Sequence, residues 1–174
     1  PILARLYSEL PHTSFTKSPN TEYEIFDKFW HKKLSINNNI GDEAILRKLA
    51  YKFAEDSAYP YPYPYEVWIE YGLTEDKLVS LEKSGWLRIL PNSEIEFTHD
   101  RLLNWALAKS LTYKFLKNQL TEYKLLDLIS PDIHIIFLNP NKQRLGYILL
   151  DVLWLLLQDK YSITKLAELV IKIA

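Results

Sequence analysis

The chain changes its hydrophobic period at Gly85, and this change limits the folds that it can adopt. Before the glycine, Leu78 and Leu81 recur at the spacing of one helix face. After it, Trp86–Leu90 and Glu94–Phe97 have the pattern of two short β-strands. Glycine ends a helix readily because it adopts the left-handed backbone conformation at little cost. We therefore predict a helix that ends at Gly85 and leads directly into a β-hairpin.

Further helices are predicted on both sides of this hairpin. The segments before it are Asp42–Glu55, Tyr65–Tyr71 and Thr74–Lys83. The hairpin turns at Pro91-Asn92-Ser93, and a long helix capped by Thr98 then runs to about Leu116. Helices followed by a two-stranded wing form the winged-helix arrangement, which we predict for residues 41–117.

The remaining parts of the chain also have helical patterns. Helices are predicted at Ile2–Leu10 and at Thr21–Leu34, where Thr21 and Glu24 form a capping box. After the winged helix, short antiparallel helix pairs are predicted at Glu122–Ile129, Ile133–Leu138, Lys142–Leu157 and Ile163–Ala174. We expect a mainly α fold: a small helical domain (1–40), a winged helix (41–117) and the start of an α-solenoid-like superhelical region (118–174).

Composition excludes several functional classes. The absence of cysteine excludes disulfides, thiolate catalysis and cysteine-ligated metals, and it is typical of a reducing cytoplasm. His12, His31 and His134 lie far apart without zinc-binding spacing, so we expect no metal site. The apolar stretch Tyr147–Leu157 is interrupted by Asp151 and is shorter than a membrane helix, so we expect a cytoplasmic protein.

The chain begins without methionine, which favours an internal piece of a longer polypeptide over a processed mature chain.

DNA binding is the usual first interpretation of a winged helix, and the charges disfavour it here. The net charge is −1, whereas phosphate contacts need a concentration of positive charge. The third helix of the winged helix has three acidic residues against two lysines. Arg88 is the basic residue of a wing that also carries Glu94 and Glu96. A packing module between domains is the alternative role for this fold.

Three ordered motifs resemble the STAND class of P-loop NTPases, the NACHT and NB-ARC-like group. The segment Pro1-Ile2-Leu3-Ala4-x-Leu6 is similar to the "G-x-P-L-x-L" helix that closes the nucleotide module of that class. The segment Glu24–Trp30 resembles the "L-Y-x-x-Y/F" helix that follows it, and Ile95–Ala108 resembles the "F-x-H-D" signature of the winged helix. The order and spacing of these motifs agree over roughly residues 1 to 116.

The resemblance implies a nucleotide-dependent role for two residues. Pro1 would pack near the adenine, and His99 would contact the β-phosphate of bound ADP. An imidazole at a helix amino terminus suits this contact, because it donates to phosphate where the helix favours anions. The alternative for His99 is that it only caps or packs at the junction between wing and helix.

The same resemblance implies a role in signalling. The segment would belong to a prokaryotic switch in antiphage defence, and ADP would hold its winged helix against an upstream nucleotide-binding module. A protein ligand on the downstream sensor would release it, and exchange to ATP would permit homo-oligomerisation and activation of an effector. Its four glycines, Gly41, Gly72, Gly85 and Gly146, cannot form a phosphate-cradling loop. We therefore expect no ATP hydrolysis by the segment itself, and magnesium would bind only through the upstream module.

A row of alternating tyrosines and prolines is a second candidate site. Tyr59, Tyr61, Tyr63 and Tyr65 could form a partner-binding strip, because exposed tyrosines favour recognition. The alternative is a stiff loop whose rings fold onto neighbouring helices. Two other functions stay open for the whole chain: a winged-helix scaffold or protein-interaction module without nucleotide, and a DNA-binding regulator.

Overall fold

The computed structural model describes residues 2–10, 21–35, 40–55, 61–64, 66–129 and 148–159, together with residues 164, 167, 168 and 171. Within these ranges the protein is mainly α-helical with one two-stranded antiparallel sheet, which confirms the predicted fold class. The elements are α1 (Ile2–Glu9), α2 (Glu22–Ser35), α3 (Ile40–Glu55), α4 (Glu66–Glu70), α5 (Glu75–Lys83), β1 (Leu87–Ile89), β2 (Ile95–Phe97), α6 (Asp100–Leu116), α7 (Glu122–Ile129) and α8 (Ile148–Gln158).

The winged helix runs from α3 to α6. In the hairpin, Leu87 pairs with Phe97 and Ile89 pairs with Ile95. Tyr63 adds an antiparallel bridge to the outer side of β2, through backbone bonds of 2.7 and 2.9 Å with Ile95. The loop between α3 and α4 therefore contributes a single-residue β-bridge, which the tyrosine–proline pattern had not indicated.

Local signals set the ends of several helices as predicted. The Thr74 hydroxyl accepts a bond from the Lys77 amide at the start of α5, and the Thr21 hydroxyl accepts one from Glu24 before α2, both at 3.4 Å. Gly85 follows α5 with a φ of 81°, in the left-handed region that favours glycine.

The predicted cap of α6 is wrong. His99 is the N-cap residue, whereas Thr98 belongs to the hairpin, because its backbone N–H donates to the Trp86 carbonyl at 3.1 Å. The Thr98 hydroxyl donates to the Gly85 carbonyl at 2.6 Å. Thr98 therefore joins the end of the wing to the turn that follows α5.

One hydrophobic cluster extends from Leu6 in α1 to Leu156 in α8. Trp30, Trp86 and Trp105 are fully buried, and the rings of Trp30 and Trp86 meet edge to face at 5.0 Å. Helix α6 packs against both α3 and α8, and most of its middle turns are buried. The domain boundaries at residues 40 and 117 stay predictions.

The predicted solenoid falls largely on residues that the structure does not describe. The predicted helix Ile133–Leu138 and most of Ile163–Ala174 lie outside the described residues. Helix α8, within the predicted third segment, packs on α6 of the winged helix. Within the described ranges, no helix is both long enough and apolar enough for a membrane crossing.

Replacing Thr98 by valine tests the bond between the wing and the α5 turn. Valine keeps the branched shape but removes the donor to the Gly85 carbonyl, so we expect a loss of about 1 kcal/mol in the free energy of unfolding. The buried Thr112 hydroxyl has no hydrogen-bond partner among the described residues, and Thr112→Val should therefore be neutral or stabilising. Equal losses for both variants, measured by urea denaturation, would contradict the assigned bond.

Candidate functional site

His99 lies at the amino-terminal end of α6, and its side chain is exposed. Its Nδ1 accepts a hydrogen bond of 3.1 Å from the backbone N–H of Arg101. An Nδ1 that accepts leaves the proton of the neutral ring on Nε2. The cap therefore orients the imidazole and leaves its Nε2–H as a donor on the protein surface.

The alternative role that the sequence left open for His99 is thus present: the residue does cap α6. Capping uses only Nδ1, so it does not compete with a ligand at Nε2. The neighbouring Asp100 carboxylate is also exposed in the first turn, where the helix terminus favours negative charge. The end of α6 therefore combines a ring N–H donor with an acidic side chain.

Arg101 follows directly and makes the strongest polar contacts of this region. Its guanidinium donates two bonds to the Asp151 carboxylate, of 2.7 and 3.0 Å, and one of 3.1 Å to Glu22. The same group lies over the Phe26 ring, 4.8 Å from its centroid. Arg101 therefore connects α6 with α8 and with the first residue of α2.

Asp151 is completely buried, so its charge depends on Arg101. Burial raises the pKa of the Asp151 carboxyl above its ordinary value, although the two bonds from Arg101 act in the opposite direction. Burial also disfavours the charge of Arg101, but Asp151 and Glu22 outweigh it and raise the pKa of the guanidinium above its ordinary value. Arg101 therefore stays charged, and the bidentate geometry is that of an ion pair.

A pocket of about 360 Å³ lies beside this ion pair, and it is lined by Ile2, Leu3, Glu22, Phe26 and Arg101. The start of α1 and the start of α6 therefore meet at the same end of the molecule. Ile2, which belongs to the first of the three motifs, therefore lies close to Arg101, which follows His99 and Asp100 in the winged-helix motif. Pro1 itself lies outside the described residues.

The pairing of Arg101 with Asp151 was not predicted from the sequence. In the sequence, Arg101 stands out only as a member of the motif Ile95–Ala108, and Asp151 only as the charged residue that interrupts the apolar stretch Tyr147–Leu157. A signal was present, because a carboxylate in the middle of a core helix needs a cationic partner. Nothing in the sequence pattern identified which of the basic residues that partner is.

The predicted tyrosine strip is wrong for Tyr63. Its ring is fully buried and its hydroxyl donates to the Leu49 carbonyl at 2.9 Å, because the bridge to β2 turns this residue into the core. Tyr61 is half-buried against Phe53, and its hydroxyl accepts a bond from the Phe97 amide. The described rings fold onto their neighbours, which was the alternative interpretation. Tyr59 and Tyr65 lie outside the described residues.

The surfaces that a winged helix uses on DNA carry little positive charge here. Helix α5 carries three exposed acidic residues, Glu75, Asp76 and Glu82, against two lysines, Lys77 and Lys83. In the wing, the Arg88 guanidinium bonds to the Glu96 carboxylate and is neutralised by it. A wide groove of about 590 Å³ beside α5 has mixed charge, since Glu75, Asp76 and Lys83 all line it.

A second charged cluster joins α2 to α6. The Lys109 ammonium lies 2.6 Å from Asp27 Oδ1, and His31 Nε2 lies 3.5 Å from the same oxygen. Burial raises the pKa of Asp27, but His31 and Lys109 outweigh burial and hold it below the ordinary value of 3.8. Among the residues that the structure describes, no three acidic or histidine side chains are placed to hold a metal ion.

A scan against protein-family models, a search of curated proteins and a search of solved structures each found no match to this chain. The resemblance to STAND NTPases therefore stays a prediction from the motifs.

The Asp27 cluster predicts part of the acid sensitivity of the protein. A carboxyl whose pKa is lower in the folded than in the unfolded state stabilises the fold above its ordinary pKa, and this contribution is lost as the pH falls through the folded value. Asp27→Asn should therefore reduce the drop in Tm between about pH 6 and pH 3. Asp127→Asn, at an exposed pair with Lys124, is the control and should leave that drop unchanged. An unchanged drop in Asp27→Asn would refute this assignment.

Proposed function

We propose that this chain is the regulatory segment of a prokaryotic STAND-type signalling switch. Its winged helix would lie against a nucleotide-binding module earlier in the same polypeptide, and His99 Nε2–H would donate to the β-phosphate of ADP bound there. The observation that carries this proposal is the exposed His99 ring at the N-cap of α6.

The geometry of His99 suits a phosphate contact. Its ring is oriented through the Nδ1 bond to the Arg101 amide, so the Nε2–H donor is held in place before any ligand arrives. The ring stands at the amino terminus of a 17-residue helix, where backbone dipoles favour an anion. The position of Ile2 in a pocket with Arg101 supports a nucleotide site between the first motif and the winged helix.

The shared core supports a role in transmitting a signal. Helices α2 and α8 both contact α6 through aromatic rings: the ring centroids of Phe26 and Trp105 are 5.6 Å apart, and those of Trp105 and Trp154 are 5.9 Å apart. In the proposed switch, a protein ligand on the downstream sensor displaces the winged helix and allows ADP to leave. ATP then binds, and the protein forms homo-oligomers that activate an effector against phage infection. Any hydrolysis, and its magnesium, would belong to the upstream module.

A protein-interaction scaffold without nucleotide is the second candidate. The observation that favours it is the continuous hydrophobic cluster that joins the winged helix to α1, α2 and α8, because a packing module needs nothing more. DNA binding is the third candidate, and two observations oppose it: Arg88 is paired with Glu96, and the acidic residues of α5 outnumber its lysines.

Replacing His99 by asparagine separates the nucleotide contact from the cap. Asparagine is a strong N-cap residue but does not reproduce the imidazole Nε2–H, so the fold should keep its stability. In the complete polypeptide, we expect His99→Asn to weaken ADP binding roughly tenfold to a hundredfold, as for the loss of a bond to a charged group. The measurement is ADP dissociation, followed with a fluorescent analogue.

Two controls make this experiment decisive. His99→Ala removes the cap as well and should also lose about 1 kcal/mol of stability. His31→Asn changes another exposed histidine, away from the α6 terminus, and should leave ADP binding unchanged. ADP affinity equal to wild type in His99→Asn would reject the phosphate contact, and a band shift with DNA at low salt would favour the third candidate.

A further inference from the structure

Arg101 joins segments that are far apart in the sequence. Its guanidinium bonds to Asp151, 50 residues later, and to Glu22, 79 residues earlier. A cation in the first turn of a helix is unfavourable by itself, because the helix dipole is positive there. The two carboxylates offset this cost, and Asp151 contributes most because it is fully buried and bonds through both oxygens.

The backbone of the same residue holds His99. The N–H of Arg101 is the donor to His99 Nδ1, so the orientation of the exposed ring depends on the first turn of α6. The side chain of Arg101 is fixed by α8 while its amide fixes the histidine. One residue therefore connects the position of α8 to the orientation of the imidazole.

We propose that Arg101 and Asp151 form a latch through which the docking of α8 controls the His99 cap. When α8 leaves α6, Arg101 loses its buried carboxylate and keeps its contacts with Glu22, whose side chain is 42% exposed, and with the Phe26 ring. The cation in the first turn of α6 is then compensated mainly by an exposed carboxylate, so the turn loosens and His99 loses its fixed orientation. The consequence for a bound phosphate rests on the proposed function, whereas the coupling of α8 to His99 does not.

The energetics of buried ion pairs indicate that the pair of Arg101 and Asp151 specifies how α8 docks, and that it adds little to the overall stability of the fold. Desolvation of two charges largely cancels their attraction, so such a pair adds little net stability compared with apolar residues. Removing one partner, however, is strongly destabilising, because the other charge stays buried alone. The pair therefore favours one docked position of α8 over all others.

The chain carries its own reporters for this coupling. Trp154 on α8 stacks on Tyr23 at 5.9 Å, so its indole signal reports whether α8 is docked. The four histidines of the chain can be resolved by NMR, and His99→Asn assigns the His99 signal. Hydrogen exchange of the Arg101 amide reports the cap itself.

The first test is Asp151→Asn in the 174-residue chain without nucleotide. This isosteric change leaves Arg101 without its ion-pair partner, and we expect amide exchange in α8 to speed up roughly a hundredfold or more. The Arg101 amide should speed up with it, and the His99 signal should shift, while the Tyr63 and Ile95 amides in the wing stay protected. Arg88→Met, which breaks the exposed pair with Glu96, should leave all of these unchanged.

Two results of this test would overturn the latch. One is faster exchange in α8 with an unchanged Arg101 amide and His99 signal, which would mean that α8 is not coupled to the cap. The other is equally faster exchange at every protected amide, which would mean that the pair only stabilises the whole fold.

A second variant covers the case in which Asp151→Asn does not fold. The double change Arg101→Met/Asp151→Leu replaces the pair by apolar side chains and should keep the Tm close to wild type. We expect the Trp154 indole signal to shift or split and the His99 signal to move with it. Wild-type signals for both residues would refute the latch. The ADP measurement on His99→Asn is a separate experiment. It can therefore reject the phosphate contact without rejecting the latch, and the exchange measurements can reject the latch without rejecting the phosphate contact.

Discussion

Helix α6 is buried on most of its circumference, and this burial constrains the polar residues that it carries. It packs between α3 and α8, and its Trp105 ring lies against Phe26 of α2. A charged side chain in such a place needs a partner from another helix, because water cannot reach it. Arg101 meets Asp151 and Glu22 on one part of the helix, and Lys109 meets Asp27 on another. These ion pairs set how α2 and α8 lie on the winged helix.

Because of the same constraint, the polar side chains around α6 form two groups: buried charges that are paired, and exposed side chains that can contact a ligand. Inside, cations and carboxylates pair with one another across helices. At the end of α6, His99 is exposed and keeps a donor at Nε2. The surfaces that would face DNA carry more acidic than basic residues on α5, and Arg88 is paired with Glu96. The available chemistry therefore favours a ring N–H donor at a helix terminus over a basic nucleic-acid surface.

Local features of the fold could be read from the sequence because they depend on neighbouring residues. The change of period at Gly85, the cap at Thr74 and the capping box at Thr21 all act within about one helical turn. The cap of α6 could not be predicted in this way, because it depends on a contact outside the helix. Thr98 and His99 are adjacent and both can cap, and the hairpin ladder decided between them by using Thr98.

The helical class, the hairpin and a helix that begins close to His99 follow from the sequence, since short-range periodicity and capping carry that information. Which charges meet depends instead on the tertiary packing. Asp151 and Arg101 are 50 residues apart, and no periodicity links them. Tyr63 likewise became a core residue through its bridge to Ile95, a contact that its tyrosine–proline surroundings do not encode. Such pairings depend on how the helices pack, because burial and not local spacing selects the partner.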